Sequence, residues 1–102
     1  MNEPAIVVPI ATPPWDEYAC IDGCRRNHLP SQEMLYRRIY PRMMALVLRY
    51  TSDYDEAGTI LNNGFLRVFR KIGTFGHKGS FEGWIRRIIV DAVSDHFRYR
   101  HP

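Results

Sequence analysis

Three side chains that often bind metal ions recur at intervals of four residues: Cys20, Cys24 and His28. On one continuous helix they would share a face, and thiolate and imidazole are ligands that zinc prefers. A structural zinc site needs four ligands, however, and the nearby sequence offers no fourth cysteine or histidine. Gly23 also weakens such a helix. We therefore interpret the cysteines as small buried thiols on a core-facing helix and expect no metal or other cofactor.

A second group, Asp91, Asp95 and His96, has the side chains needed for acid–base chemistry. His96 falls on an apolar helical stripe, where a hydrogen-bonded core histidine is more usual than a general base. The sequence has no phosphate-binding loop, nucleophile elbow or paired-carboxylate pocket. It therefore predicts a protein that is not an enzyme.

The segment TFGHKGSFEGWIRRI, residues 74–88, combines glycines, cations and aromatic rings. Glycines let a backbone approach a ligand closely, and Lys78, Arg86 and Arg87 could neutralise phosphates. Aromatic rings stack on unpaired bases. The candidates, of which a helical stripe assigns the last two chiefly to the core, are Phe75, Phe81 and Trp84. The residues alone leave two interpretations open: a nucleic-acid contact, or a plain interhelical turn with charges that support a helix.

The charge of the chain is unevenly distributed. The net charge is +3, but residues 1–63 hold six Arg/Lys against eight Asp/Glu, whereas residues 64–102 hold eight against three. An acidic front and a basic back indicate two surfaces with different partners, or else two solvated faces. No apolar run reaches the roughly 18 residues of a membrane span, and the opening residues lack the basic start of a secretion signal. We expect a cytoplasmic protein without membrane contact.

The first part of the chain predicts a tail and two helices. Residues 1–13 contain three prolines and no helical period, so we expect an extended or disordered tail before a helical domain at 14–102. Thr12 predicts the cap of a short first helix, and Ser31 the cap of a second one. Pro41 should kink this second helix without ending it, because the apolar period continues on both sides.

Two apolar stripes at helical spacing predict the third and fourth helices, capped by Ser52 or Asp53 and by Ser80. The stripes comprise Ala57, Ile60, Leu61, Gly64, Phe65, Val68, Phe69 and Ile72, then Phe81, Trp84, Ile85, Ile88, Ile89, Ala92, Val93, His96 and Phe97. Such stripes must pack on other helices. The sequence therefore predicts an all-α fold, a compact bundle of three long helices plus a short N-terminal helix.

Leu66 would lie opposite the buried stripe of the third helix, beside Asn62, Asn63 and Arg70. A single exposed leucine needs no explanation. In this setting it also suits the apolar centre of a helix-on-helix contact.

Four stretches, in order LYRRIYPRMMALVLRYTSDYDEA, FLRVFRKIGTF, GSFEGWIRRI and DHFRYR, carry a resemblance to a known family. Over residues 31–100 the chain resembles region 2 of bacterial sigma factors of the extracytoplasmic-function group. The resemblance implies a domain that docks on the β′ clamp helices of core RNA polymerase. It also implies recognition of the promoter −10 element as melted single-stranded DNA.

The resemblance further implies roles for individual residues. The polymerase-facing set would be Leu61, Asn62, Asn63, Leu66, Arg67 and Arg70. Phe75, Gly76, His77, Lys78, Gly79 and Ser80 would form the loop that receives a flipped base. Arg86 and Arg87 would hold backbone phosphates, and Ser94 and Arg98 are further candidates for DNA contact.

The third helix departs from the family pattern, because AGTILNNGF stands where members usually read AEDLVQEVF. The lost acids should weaken contact with basic clamp helices, and Asp55 and Glu56 should compensate only partly. The fourth helix carries Asp91 where asparagine is usual, which is unfavourable beside DNA unless Arg87 pairs with it. A second interpretation therefore stays open: a helical protein-interaction module, bound to an anti-sigma factor or a second copy, with little DNA binding.

Members normally continue with a linker and a helix-turn-helix domain that reads the −35 element. This sequence ends at Pro102, which leaves open a fragment or a shortened relative.

Overall fold

The computed structural model describes residues 15 to 100, and every regular element within them is helical. Helix α1 spans Glu17–Arg25, α2 spans Leu29–Val47, α3 spans Tyr54–Lys71 and α4 spans Phe81–Arg100. A 3-10 turn, Ile72–Thr74, follows α3. This architecture confirms the predicted all-α bundle of three long helices and a short first one. The tail predicted for residues 1–13 lies outside the described residues.

Helices α3 and α4 pack along each other, and α2 contacts both. Their apolar stripes are buried except at Phe69, Trp84, His96 and Phe97, which are half-buried. Gly64 allows the close approach, since a Cβ at this position would lie 2.5 Å from Cδ1 of Ile89. The two stripes therefore bury each other as predicted, and the opposite faces are left for other contacts. Among the helices that the structure describes, none has the length and apolar character to cross a membrane.

The caps of α3 and α4 are the predicted ones. The Asp53 carboxylate accepts hydrogen bonds from the backbone N–H groups of Asp55, at 2.9 Å, and Glu56, at 3.1 Å. Ser80 Oγ accepts from the N–H of Gly83 at 2.9 Å. Each side chain satisfies N–H groups that the helix itself leaves without partners. Ser80 thereby fixes the point where the preceding loop becomes helix.

The predicted starts of α1 and α2 are wrong. Helix α1 begins at Glu17, and Asp16 caps it by accepting from the N–H of Ala19 at 3.0 Å; Thr12 lies outside the described residues. Helix α2 begins two residues before Ser31, which lies inside it and pairs its hydroxyl with Nδ1 of His28 at 2.8 Å. Pro30 can occupy the first turn because its missing N–H would have no helical partner there.

Helix α2 continues through the exposed Pro41, as the apolar period predicts. Leu35, Ile39 and Met43 keep its buried face in register on both sides of the proline. Helix α1 packs against α2 and also contacts the 3-10 turn. Helix α1 thus reaches the turn that directly precedes the loop before α4.

Candidate functional site

The loop between the 3-10 turn and α4 has an irregular backbone that two residues with positive φ make possible. Gly79 has φ 78°, a conformation that glycine adopts freely. His77 has φ 59°, which is uncommon for a residue with a side chain. Residues 76–80 are all exposed. The predicted loop therefore lies at the surface, with Lys78 between the two residues of positive φ.

Phe75 lies beneath this loop. It is only 3% exposed, and its ring packs at 5.0 Å from that of Phe81 and 5.3 Å from that of Trp84. The expectation that Phe75 offers a face for base stacking is therefore wrong for this conformation, because its ring is part of the core. His77 is the exposed ring of the loop, and it contacts Phe75 edge-on at 5.0 Å.

Helix α1 contacts the loop through two side chains. Arg25 Nη2 donates a hydrogen bond to the carbonyl of Phe75 at 2.7 Å, and its Nε donates to the carbonyl of Ile72 at 3.5 Å. The ring of Tyr18 stacks on that of His77, with centroids 4.7 Å apart and an 18° angle between planes. Sequence patterns did not reveal either residue, because the contacts join positions far apart along the chain, such as Arg25 and Phe75, which are 50 apart.

The outward face of α4 carries the predicted phosphate ligands. Arg86 and Arg87 are exposed one to two turns after the start of the helix. No ion pair joins Arg87 to Asp91 among the side chains that the structure describes, so the acid is not neutralised in the predicted way. Ser94 is exposed, and Arg98 pairs with Asp95 at 3.0 Å.

A polar cleft of about 300 Å³ lies between the C-terminal part of α3 and the portion of α4 from Ile88 to Arg98. Its lining residues are Arg67, Lys71, Ile88, Asp91, Ser94, Asp95 and Arg98. Cations and carboxylates alternate there, so the cleft is less suited to a phosphate than the open faces of Arg86 and Arg87 are.

The outer face of α3 presents Leu66, which is 53% exposed, among the exposed Asn62, Asn63 and Arg70. Leu61, which the resemblance placed in the same set, has no exposed surface and belongs to the core. It can support a contact on this face only from beneath.

Arg67 also differs from its predicted role. Its Nη1 donates to Oδ2 of Asp95 at 2.8 Å, and both side chains are about 30% exposed, at 31% and 29%. A half-buried ion pair of this kind joins α3 to α4. Arg67 is therefore occupied within the fold and is not a free cation of the outer face.

The acids before this face are only partly available. Asp55 is exposed, whereas the Glu56 carboxylate accepts from Thr51 Oγ1 at 2.7 Å and lies 3.2 Å from Nε2 of His96. His96 thus has the role of a hydrogen-bonded interior histidine. The expectation that acids near the start of α3 compensate only partly for the lost ones stays a prediction.

Cys20 and Cys24 are buried free thiols where α1 packs on α2. The pKa of Cys24 is raised, first by its hydrogen bond to Cys20 and second by burial. The Cys20 thiol also donates to the carbonyl of Ser31 at 3.4 Å, and His28 is bonded to the same serine. Within the described residues no group of three metal-binding side chains comes together.

These features define a class of protein. It is a small helical bundle in which α3 presents an exposed leucine surrounded by amide side chains, and a cationic loop with glycines precedes α4. The model of the Sigma-70 region 2 family matches residues 35–101, two thirds of the sequence. The chain belongs to the Sigma-70 region 2 family.

Two relatives agree with this assignment. The RNA polymerase sigma-H factor of Pseudomonas aeruginosa is 23% identical over 84 residues, which are 80% of this chain and 44% of the relative. The ECF RNA polymerase sigma factor SigE of Mycolicibacterium smegmatis is 32% identical over 72 residues, 71% of this chain and 28% of the relative. The chain thus spans less than half the length of these curated relatives. No solved structure matches it significantly.

Proposed function

We propose that this chain is a non-catalytic domain of a cytoplasmic sigma factor of the extracytoplasmic-function group. It docks on the β′ clamp helices of core RNA polymerase and receives the promoter −10 element as single-stranded DNA during transcription initiation. Membership in the Sigma-70 region 2 family supports the class of function. The proposal of two separate contacts, one for polymerase and one for DNA, is supported by the two chemically different surfaces that α3 and α4 leave exposed.

The outer face of α3 is the proposed polymerase contact. Leu66 supplies an exposed apolar centre, and Asn62, Asn63 and Arg70 surround it with hydrogen-bonding groups. Apolar centres with polar rims are typical of specific protein interfaces. Leu61 and Arg67 support this face from within the fold.

The loop and the start of α4 are the proposed DNA contact. Lys78, Arg86 and Arg87 are exposed cations on one stretch of chain, and His77 offers an exposed ring beside them. Cations attract phosphates, and rings stack on unpaired bases. Receiving a base out of the stack costs a few kcal/mol, which this combination can offset. Ser94 and Arg98 lie further along α4 and would extend the contact, since the Arg98 side chain stays 61% exposed while it pairs with Asp95.

Co-purification with core RNA polymerase tests the docking proposal. Leu66→Asp places a charge at the centre of the proposed contact and should weaken binding at least about tenfold. Leu29→Asp is the matched control, because Leu29 is 65% exposed and lies at the first position of α2, where an acid is tolerated. Equal loss in both variants, or no loss in Leu66→Asp, contradicts the docking proposal.

The second candidate is a helical protein-interaction module that binds an anti-sigma factor or a second copy. The uncharged residues Gly58, Thr59, Asn62 and Asn63 on α3 favour it, because an acidic face would suit basic clamp helices better. A stable complex with such a partner, without retention on core polymerase, selects this candidate.

A further inference from the structure

Helix α1 lies outside residues 35–101, the part of the chain that matches the family. It nevertheless contacts the 3-10 turn directly before the loop. Arg25 Nη2 donates to the carbonyl of Phe75 and Nε to the carbonyl of Ile72. The carbonyl of Ile72 also accepts from the backbone N–H of Phe75 at 3.2 Å. A guanidinium has five N–H donors, so the one side chain can serve both carbonyls. Arg25 therefore fixes the backbone at the residue where the loop begins.

Tyr18, about two turns before Arg25 on α1, restrains the loop itself. Its ring stacks on His77, whose other contact is the edge-on packing against Phe75. The positive φ of His77 is an unfavourable conformation that the surroundings must hold in place. The ring of His77 lies in contact with Tyr18 of α1 and with the buried Phe75, and these two contacts supply that restraint.

Little else holds the loop. In residues 15 to 100 no hydrogen bond between side chains, or between a side chain and the backbone, reaches residues 76–79. Ser80 fixes the end of the loop by capping α4, and Arg25 fixes its beginning. Between these two points, the ring of His77 contacts Tyr18 and Phe75.

We propose that α1 positions the loop for the unpaired strand, with Arg25 setting where the loop begins and Tyr18 setting the ring of His77. The inference rests on the proposed function, because it assigns these two positioning residues to the same DNA site. A loop held in its binding conformation loses less freedom when the strand binds, so affinity is higher. Without α1, the same cations would lie on a less ordered segment.

The test uses the full chain assembled with core RNA polymerase and a promoter fragment whose −10 region is kept unpaired. Arg25→Ala should weaken DNA binding about tenfold, since charge-assisted hydrogen bonds are lost, and Tyr18→Ala about threefold, since a ring stack is lost. Arg26→Ala is the matched control. It removes the same charge one residue later, from a side chain whose partner is Asp22, at 3.0 Å. Tyr18→Phe keeps the ring and should bind as the wild type does.

A second readout does not involve DNA. The ring protons of His77, assigned by comparison with His77→Gln, should show upfield NMR shifts from stacking, and these should be lost in Tyr18→Ala and in Arg25→Ala. Core polymerase binding should stay unchanged in both variants. A role in general stability alone would leave the His77 resonances of the folded protein in place and would not separate Tyr18→Ala from Tyr18→Phe.

The outcomes separate the two proposals. If the wild-type complex does not bind the unpaired fragment, the proposed function fails. If it binds, and Arg25→Ala and Tyr18→Ala match Arg26→Ala in affinity, the positioning role of α1 is overturned. Should Arg25→Ala fail to fold, Tyr18→Ala decides alone, because Tyr18 is 67% exposed and its truncation leaves the core intact.

Discussion

At the scale of single residues, two glycines of α3 show how packing decides whether an added side chain stabilises or destabilises the protein. Gly64 faces α4, and an added Cβ would lie 2.5 Å from Cδ1 of Ile89, which is fully buried. Gly58 has nothing within 4 Å of the same position. The two glycines lie on one helix, so they share the same backbone propensity and differ only in their surroundings.

We predict opposite effects of alanine at these two sites. Gly58→Ala should stabilise the protein by about 0.5–1 kcal/mol, because alanine favours the helix and meets no neighbour. Gly64→Ala gains the same propensity but forces the buried side chain of Ile89 to move, and overpacking of this kind costs roughly 1–3 kcal/mol. Urea denaturation of the two variants measures both changes. Stabilisation by both substitutions would mean that α3 and α4 do not pack as closely as described.

At the scale of the elements, the sequence predicts the helices better than their starts. Periodicity identified the buried stripes of α3 and α4, because their apolar residues recur at helical spacing over several turns. Local capping rules worked at Asp53 and Ser80 but failed at Ser31. Ser31 lies inside α2, and its hydroxyl is bonded to His28, the residue directly before the helix.

The candidate site was predictable only in part, because sequence patterns indicate local structure and not contacts between separate helices. Periodicity and glycine spacing indicated the exposed loop and Leu66, because those signals are local. The burial of Phe75 and the roles of Arg25 and Arg67 depend on contacts between separate helices. Nothing in the spacing of residues along one helix encodes such contacts.

Arg67 and Arg70 of α3 should separate stability from docking. Arg67→Ala removes the ion pair with Asp95 between α3 and α4, and should lower the free energy of unfolding by about 1 kcal/mol while polymerase binding by the folded protein stays unchanged. Arg70→Ala removes an exposed charge. It should leave the free energy of unfolding unchanged and weaken polymerase binding. Urea denaturation and polymerase co-purification measure the two effects. If Arg67→Ala weakened the polymerase complex without lowering the free energy of unfolding, Arg67 would belong to the polymerase contact and not to the ion pair between helices.

At the scale of the whole molecule, the charge divides the chain. Residues 64–102 carry eight Arg/Lys against three Asp/Glu, and the exposed cations of the loop and α4 lie in this part of the chain. The α3 face with Leu66 at its centre is largely apolar and amide-rich, with Arg70 as the cation of the proposed contact. Salt should therefore act more strongly on the proposed DNA contact than on the proposed polymerase contact.

The most direct measurement is the salt dependence of promoter binding by the assembled polymerase complex, with the −10 region unpaired or fully paired. We expect preference for unpaired DNA, and a slope of log affinity against log salt that becomes shallower by about 1.4 when Lys78→Ala and Arg86→Ala are combined, since each phosphate contact contributes about 0.7. The control, Arg37→Ala with Arg49→Ala, removes two exposed charges from outside the site and should leave the slope unchanged. Equal affinity for paired and unpaired DNA, or an unchanged slope in the Lys78 and Arg86 double variant, would contradict the account.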